Sequence, residues 1–228
     1  MLRRLVKASA IVIGVGLAVA ACSPVKMGAA AIVGNERITI ATLDTEVTNL
    51  SQAAAQYPAS VNLTASQRTQ ATLTWLIRYQ IFEEMARQAG ITVSTAQGQQ
   101  ALNQAVAAAE ASAEQQGLTN VTRTLILAAS GIPPNTADLL GRYESIASQY
   151  LAIANGGTAP TSSSAQTAAG NKLNTAECQA AKALNIAVNP QFGQLDYNGY
   201  QVVTAPSPVT RSQGPVKAAS PVATAPAC

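Results

Sequence analysis

The densest run of large apolar side chains lies in residues 64–90, TASQRTQATLTWLIRYQIFEEMARQAG. Apolar residues recur there at the spacing that places them on one helix face and an adjoining one: Leu73, Leu76, Ile77, Ile81 and Met85, then Trp75, Tyr79 and Phe82. Thr64 and Gln67 form a capping box, and Gly90 is typical of a helix C-terminus. The pattern predicts a central helix whose apolar arc is wider than burial in a small bundle requires.

Shorter periodic segments surround this helix. Runs at 29–33 and 37–40 flank Gly34-Asn35, a dipeptide that predicts a tight hairpin. Thr42 is expected to cap the helix that follows, and Tyr57-Pro58 to end it. Three more helices are predicted at residues 95–116, at 121–130 and from 135 onward, and the first of these begins with a capping box at Ser94 and Gln97. These elements form one helical domain over residues 29–154.

The C-terminal third contains fewer large apolar residues. Residues 155–173 include NGGTAPTSSSAQTAAG, which predicts a flexible loop. A returning segment, 174–203, is expected to begin with a short helix capped by Asn174 or Thr175 and to end in a hairpin at Asn198-Gly199. Residues 204–228 are rich in proline, alanine and serine, which predicts a disordered tail.

The N-terminus has the pattern of an export signal. Arg3, Arg4 and Lys7 precede an uncharged apolar stretch at 8–21, which is too short for a convincing membrane span. Val19-Ala20-Ala21-Cys22 resembles the lipobox of bacterial lipoproteins. We therefore expect a signal peptide at residues 1–21, lipidation of Cys22 and a tether at 22–28, with acyl chains anchoring the protein to the membrane. Ordinary secretion with cleavage nearby is the alternative.

Charge and composition exclude several functions. The chain has 14 Lys and Arg against 11 Asp and Glu, and three of the cations lie in the signal, so the remainder is close to neutral. The sequence has no cluster of basic residues of the kind that indicates nucleic-acid binding. The absence of histidine excludes Ser-His-Asp and Cys-His sites and histidine-containing zinc sites. The acids are scattered without a pairing pattern, so we predict no catalytic residue, no metal and no cofactor.

Two cysteines remain once Cys22 carries lipid. Cys178 and Cys228 would both lie in an oxidising compartment, where we predict that they form a disulfide. The chain-entropy description gives the loop between them a stabilisation of about 4 kcal/mol before strain. A free thiol or an intermolecular bridge is the alternative.

The order of elements also matches a known pattern. The family motif is carried by residues in and after the central helix: Leu76, Ile77, Ile81, Ala86, Gly90, Ile91, Val93 and Ser94. Residues 29–155 resemble the N-terminal chaperone domain of SurA-type periplasmic foldases and PrsA-type lipoproteins. The resemblance implies a mainly α fold, a five-to-six-helix SurA N-terminal-like domain with small β-hairpins formed by the N- and C-terminal segments.

Two features refine the resemblance. Residues 186–193, IAVNPQFG, look like an ending found in actinobacterial relatives, with Gln191 where an arginine is usual. Family members that isomerise prolyl bonds insert a parvulin domain of about ninety residues, a typical size for a small domain. Residues 155–173 cannot contain such a domain, and the paired histidines of parvulin sites are missing. The resemblance therefore implies no isomerase activity.

These observations lead to the expectation of a lipid-anchored, extracytoplasmic holdase that binds unfolded or newly secreted polypeptides. The candidate client-binding residues are large and amphipathic or adaptable, as at promiscuous sites: Trp75, Tyr79, Phe82, Met85, Tyr143 and Tyr150. A structural or adaptor lipoprotein with one specific envelope partner is the alternative function. An enzyme is the class that the sequence supports least.

Overall fold

The structure, a computed structural model, describes residues 27–205 of the 228-residue chain. The predicted signal peptide, the predicted tether up to residue 26 and the predicted tail from residue 206 lie outside the described residues. The described helices are α1 (Ile40–Gln56), α2 (Ala65–Ala89), α3 (Thr95–Gln115), α4 (Arg123–Ala129), α5 (Ala137–Ala154) and α6 (Ser163–Leu184). The mainly α fold is confirmed. Within residues 27–205, no helix combines the length and apolar character that a membrane crossing requires.

The predicted central helix is α2, and both of its ends are formed as expected. Thr64 and Gln67 make the reciprocal capping box, and Gly90 adopts the left-handed conformation with φ of 66°. The helix packs against α1, α5, α6 and the last strand. Its buried side chains therefore lie around most of its circumference: Thr72, Leu73, Trp75, Leu76, Ile77, Ile81, Phe82, Met85 and Ala86.

The two ends of the described chain meet in a small sheet. Strands β1 (Ala29–Val33) and β2 (Glu36–Thr39) form the predicted hairpin, and β3 (Ala187–Val188) pairs antiparallel with β1. The side-chain amide of Asn189 donates to the carbonyl of Ala29 at 3.0 Å and extends this connection. The returning segment thus closes the sheet against the helices.

A second hairpin covers α2. Strands β4 (Gln194–Asp196) and β5 (Gln201–Val203) flank the predicted turn. Leu195 and Val202 are buried in the main core. The backbone N–H of Val202 donates to Thr74 Oγ1 at 2.8 Å, so the hairpin is hydrogen-bonded to α2 as well as packed on it.

The predicted N-cap of α1 is wrong. Thr39, and not Thr42, is the N-cap: its hydroxyl oxygen accepts from the backbone N–H of Thr42 at 2.9 Å. The preceding strand consequently ends at Thr39 and not at residue 40. Both threonines satisfy the residue preference for a cap, and the earlier one prevails because the helix begins directly at the end of β2. In contrast, Ser94 and Gln97 cap α3 as predicted.

The structure differs most from the prediction in residues 155–173, which were expected to form a flexible loop. Residues 163–173 are helical, because α6 begins at Ser163 with Ser162 as its N-cap, so Asn174 and Thr175 lie inside the helix and cap nothing. Alanine favours helix, and small side chains allow close packing. The buried alanines of α6 are Ala169, Ala176, Ala180 and Ala181. Only residues 155–162 connect α5 to α6. The flexible-loop prediction is wrong for residues 163–173 because a linker and a helix of small residues have similar compositions.

Helices α3 and α5 approach each other at two glycines. Gly98 of α3 and Gly141 of α5 are both buried, and a Cβ on Gly141 would lie 2.9 Å from the carbonyl carbon of Gly98. Beyond this contact, α3 buries only Leu102 and Val106. The position of α3 therefore depends on backbone contact more than on large side chains.

We expect Gly141→Ala to lower the free energy of unfolding by about 1–3 kcal/mol, because the added methyl group overlaps backbone that cannot rotate away. Gly170→Ala is the matched control, since a Cβ there meets no atom within 4 Å. That control should be neutral or stabilising by up to about 1 kcal/mol through helix propensity. Urea unfolding followed by circular dichroism measures both. Equal stability of the two variants would contradict the close approach.

Candidate functional site

Three of the six predicted client-binding residues belong to the core. Trp75 is 6 % exposed, Phe82 2 % and Met85 1 %, so the expectation that they present an apolar surface to solvent is wrong. The wide apolar arc of α2 is filled within the fold, by α5 on one side and by α6 and the β4–β5 hairpin on others. Tyr79, Tyr143 and Tyr150 are partly buried.

An aromatic cluster joins α2 to α5. The rings of Trp75 and Tyr143 meet edge to face with centroids 5.6 Å apart, and Phe82 packs on Tyr143 at 4.0 Å. Trp75 Nε1 donates to Thr136 Oγ1 at 3.0 Å, which satisfies the buried indole. These contacts fix the distance between the two helices on which the neighbouring surface depends.

Tyr79 belongs to a separate polar network with Glu83 and Arg142. Arg142 binds the carboxylate of Glu83 through two nitrogens and donates to the carbonyl of Val93 at 3.0 Å. Burial, together with the hydrogen bond to Glu83, raises the pKa of Tyr79 to about 12. The phenol therefore stays neutral at physiological pH. Its partners hold α2 to α5, which makes Tyr79 a structural residue.

Tyr150 lies away from the aromatic cluster. It borders a cavity of about 320 Å³ between α5 and α6, beside Ile153, which is 54 % exposed. The six candidates are thus divided between the core with its aromatic cluster, a polar network and this shallow cavity. The sequence placed them on two helices correctly, but it could not show which side of each helix the neighbouring segments would cover.

The larger described groove, about 490 Å³ in volume, runs beside the aromatic cluster. Its walls come from α2, from α5, from β5 and from residues 130–132, which follow α4. The lining alternates between apolar and hydrogen-bonding side chains: Gln67, Gln70, Ala71, Thr74, Trp75, Arg78, Ser130, Ile132, Leu140, Tyr143, Glu144 and Gln201. Of the predicted candidates, Trp75 and Tyr143 contribute to it.

Arg78 provides the central charge of the groove. Its Nη2 donates to the hydroxyl of Tyr143 at 3.2 Å and lies 3.8 Å from Oε1 of Glu177 on α6. The guanidinium also stands 5.9 Å from the centroid of the Tyr143 ring. Among the described residues, its Nε is buried without a hydrogen-bond partner. A cation three residues after Trp75, inside an otherwise apolar arc, is the sequence signal that could have located this site.

Two carboxyl groups accompany Arg78. Burial raises the pKa of Glu144 on the wall of the groove and the pKa of Glu177 behind it, while the charge of Arg78 opposes both shifts. Oε1 of Glu177 has no hydrogen-bond partner within the described part of the chain. In this part, no cluster of three His, Cys, Asp or Glu is arranged to hold a metal ion. The groove offers donors, acceptors and apolar contact, which is chemistry for binding.

We expect Glu177→Gln to raise the free energy of unfolding at pH 7 by on the order of 1 kcal/mol. The reason is that the unfavourable desolvation of this buried carboxylate exceeds its favourable interaction with Arg78, whose Nη2 lies 3.8 Å away. The raised pKa means that Glu177 favours folding below about pH 4.3, the value of an unfolded glutamate, and loses that contribution as pH rises through the folded pKa. The stability difference between variant and parent should therefore shrink from pH 7 to pH 4.

Urea unfolding across this pH range makes the measurement. Glu114→Gln, on the exposed part of α3, is the control and should follow the parent at every pH. A Glu177→Gln variant that is less stable than the parent at pH 7 would show that the pair with Arg78 outweighs burial.

Comparison with known families gives a match over residues 5–124 to the SurA-like N-terminal domain. This segment is more than half of the 228-residue chain and includes β1, β2 and α1 to α3. No curated protein and no solved structure matches the chain. The matched segment contains α2, which forms one wall of the groove, while α5 and β5 form walls outside it. On its matched sequence and its fold, the chain belongs to the family of SurA-like N-terminal domains.

Proposed function

We propose that the protein is a lipid-anchored holdase that binds unfolded or newly secreted polypeptides in the groove between α2, α5 and β5, without isomerase activity. A SurA-like domain suggests a chaperone-type function, polypeptide clients and an extracytoplasmic location. One observation carries the proposal: α2, which lies within the segment that matches the family, forms a wall of this groove.

The lining of the groove fits an extended polypeptide. Ile132 and Leu140 offer apolar contact, while Gln70 and Gln201 offer amides that donate to carbonyls and accept from N–H groups. Unfolded chains present both kinds of group in any sequence. A volume of about 490 Å³ is within the usual range of small binding pockets and takes a short stretch of chain. Contacts of this kind support binding with little sequence preference.

Two features support the absence of isomerase activity in the proposal. The chain contains no histidine, whereas parvulin-type sites resemble one another in a pair of them. Residues 155–162, which join α5 to α6, are far fewer than the roughly ninety residues of a typical small inserted domain. The proposed activity is therefore retention of unfolded chains, with no chemical step.

We expect the purified protein to suppress aggregation of an unfolded model client, and Gln70→Phe to weaken that effect by roughly tenfold, because an aromatic ring at the groove wall takes the space of the client. Gln104→Phe is the matched control, since Gln104 is an exposed helical glutamine on α3, away from this groove. Light scattering with increasing protein measures the effect.

The holdase proposal fails if the parent protein does not suppress aggregation at several-fold molar excess. Equal weakening by both substitutions would remove the groove from the proposal. Capture of one stoichiometric envelope protein after cross-linking in cells, in place of many secreted clients, would favour the adaptor function.

The lipid anchor is the second part of the proposal. Cys22 lies outside the described residues, and so do the signal at 1–21 and most of the tether; the lipobox of residues 19–22 supports the assignment. Two or three acyl chains hold a protein on a membrane, at roughly 0.8 kcal/mol per buried methylene. Pairing of Cys178 with Cys228 stays a prediction, because Cys178 lies buried on α6 and Cys228 lies outside the described residues.

We expect Cys22→Ser to release the protein from the membrane fraction, because the hydroxyl cannot carry the thioether-linked lipid. Cell fractionation followed by mass measurement of the mature N-terminus distinguishes the outcomes. Cys178→Ser is the control for substitution of a cysteine and should stay with the membrane. A Cys22→Ser protein that sediments with the membrane as fully as the parent would contradict the anchor.

A further inference from the structure

The described chain leaves the fold at the groove. Thr204 Oγ1 accepts from Nε2 of Gln70 at 3.0 Å, and Gln70 and Gln201 both line the groove. The 23 residues that follow Ala205 therefore start at one end of this site. Arg78 lies about 12 Å further along α2, at a rise of about 1.5 Å per residue.

The sequence of this tail suits the lining. Residues 206–228 contain five prolines, and the pair Pro-Val occurs three times, at 208–209, 215–216 and 221–222. Proline-rich segments favour the polyproline II conformation, which leaves backbone carbonyls without internal partners and docks in aromatic-lined grooves. Gln70, Gln201 and Arg78 offer donors for such carbonyls, and Trp75 and Tyr143 form the aromatic side.

The charge of the tail and its covalent attachment beside the groove both favour its binding there. The tail carries Arg211 and Lys217 and no acid, whereas the groove region has two acids, Glu144 and Glu177, against one cation. A segment attached at the end of its site has an effective concentration in the millimolar range, which fills a site of modest intrinsic affinity. A polyproline II segment advances about 3.1 Å per residue, so about four residues reach from Gln70 to Arg78.

We propose that the C-terminal tail, residues 206–228, occupies the groove between α2, α5 and β5 as an intramolecular ligand. Unfolded polypeptides then bind by displacing it. The placement of the tail stands on the geometry of the groove, and the displacement step rests on the proposed holdase function.

Photo-cross-linking in the full-length protein tests the placement. A photoreactive amino acid replaces Val209, and reductant is present so that no bridge to Cys178 holds the tail. We expect an intramolecular cross-link to peptides from α2 or α5, identified by mass spectrometry of the monomer band. The same amino acid in place of Leu118, which is 55 % exposed beyond α3, is the control and should give no link to the groove.

Links from position 209 that are scattered over the surface, or that are absent, would overturn the placement. The double substitution Arg211→Glu and Lys217→Glu in the full chain tests displacement and should tighten client binding by roughly fivefold, because charge reversal loosens the tail. Unchanged client affinity would overturn the displacement. A protein without holdase activity still gives the cross-link if the tail lies in the groove, so the two failures are distinguishable.

Discussion

The structure depends on burial of α2 by segments from both ends of the described chain. The apolar arc of this helix extends too far around its axis for one neighbour to cover it. The N-terminal strand β1, helices α5 and α6 and the β4–β5 hairpin each take a part. The pairing of β1 with β3 and the bond from Val202 to Thr74 hold the covering segments in place. Removal of any one cover would expose large apolar side chains.

Sequence signals that act within a few residues were sufficient for both ends of α2, the start of α3 and the two hairpins. The capping boxes at Thr64 and Ser94 and the glycine at position 90 need no tertiary context. The helical start of α6 was missed because residues 155–170 have a linker-like composition, and the small side chains of α6 become informative only when α2 and α5 pack against them. Exposure of Trp75 was misjudged for the same reason, since α5 covers it.

The groove could not be predicted because its walls come from distant parts of the chain. Gln70, Ile132, Leu140 and Gln201 share no motif and meet only after the returning segment has packed. The aromatic contact between Trp75 and Tyr143 sets the spacing of two walls, and the hydrogen bond from Trp75 to Thr136 joins α2 to the residue that precedes α5. A cation inside an apolar arc was the only local signal of this site.

Arg78 on the wall of the groove and Glu177 behind it place charge where packing alone would favour apolar side chains. Apolar side chains of similar volume at these positions would avoid the cost of burying charge, and such replacements are often neutral or stabilising. Both residues instead keep buried polar atoms without a hydrogen-bond partner among the described residues. Because α2 lies within the family match and α5 and β5 lie beyond it, the groove combines one wall from the matched segment, which includes Arg78, with walls from the rest of this chain.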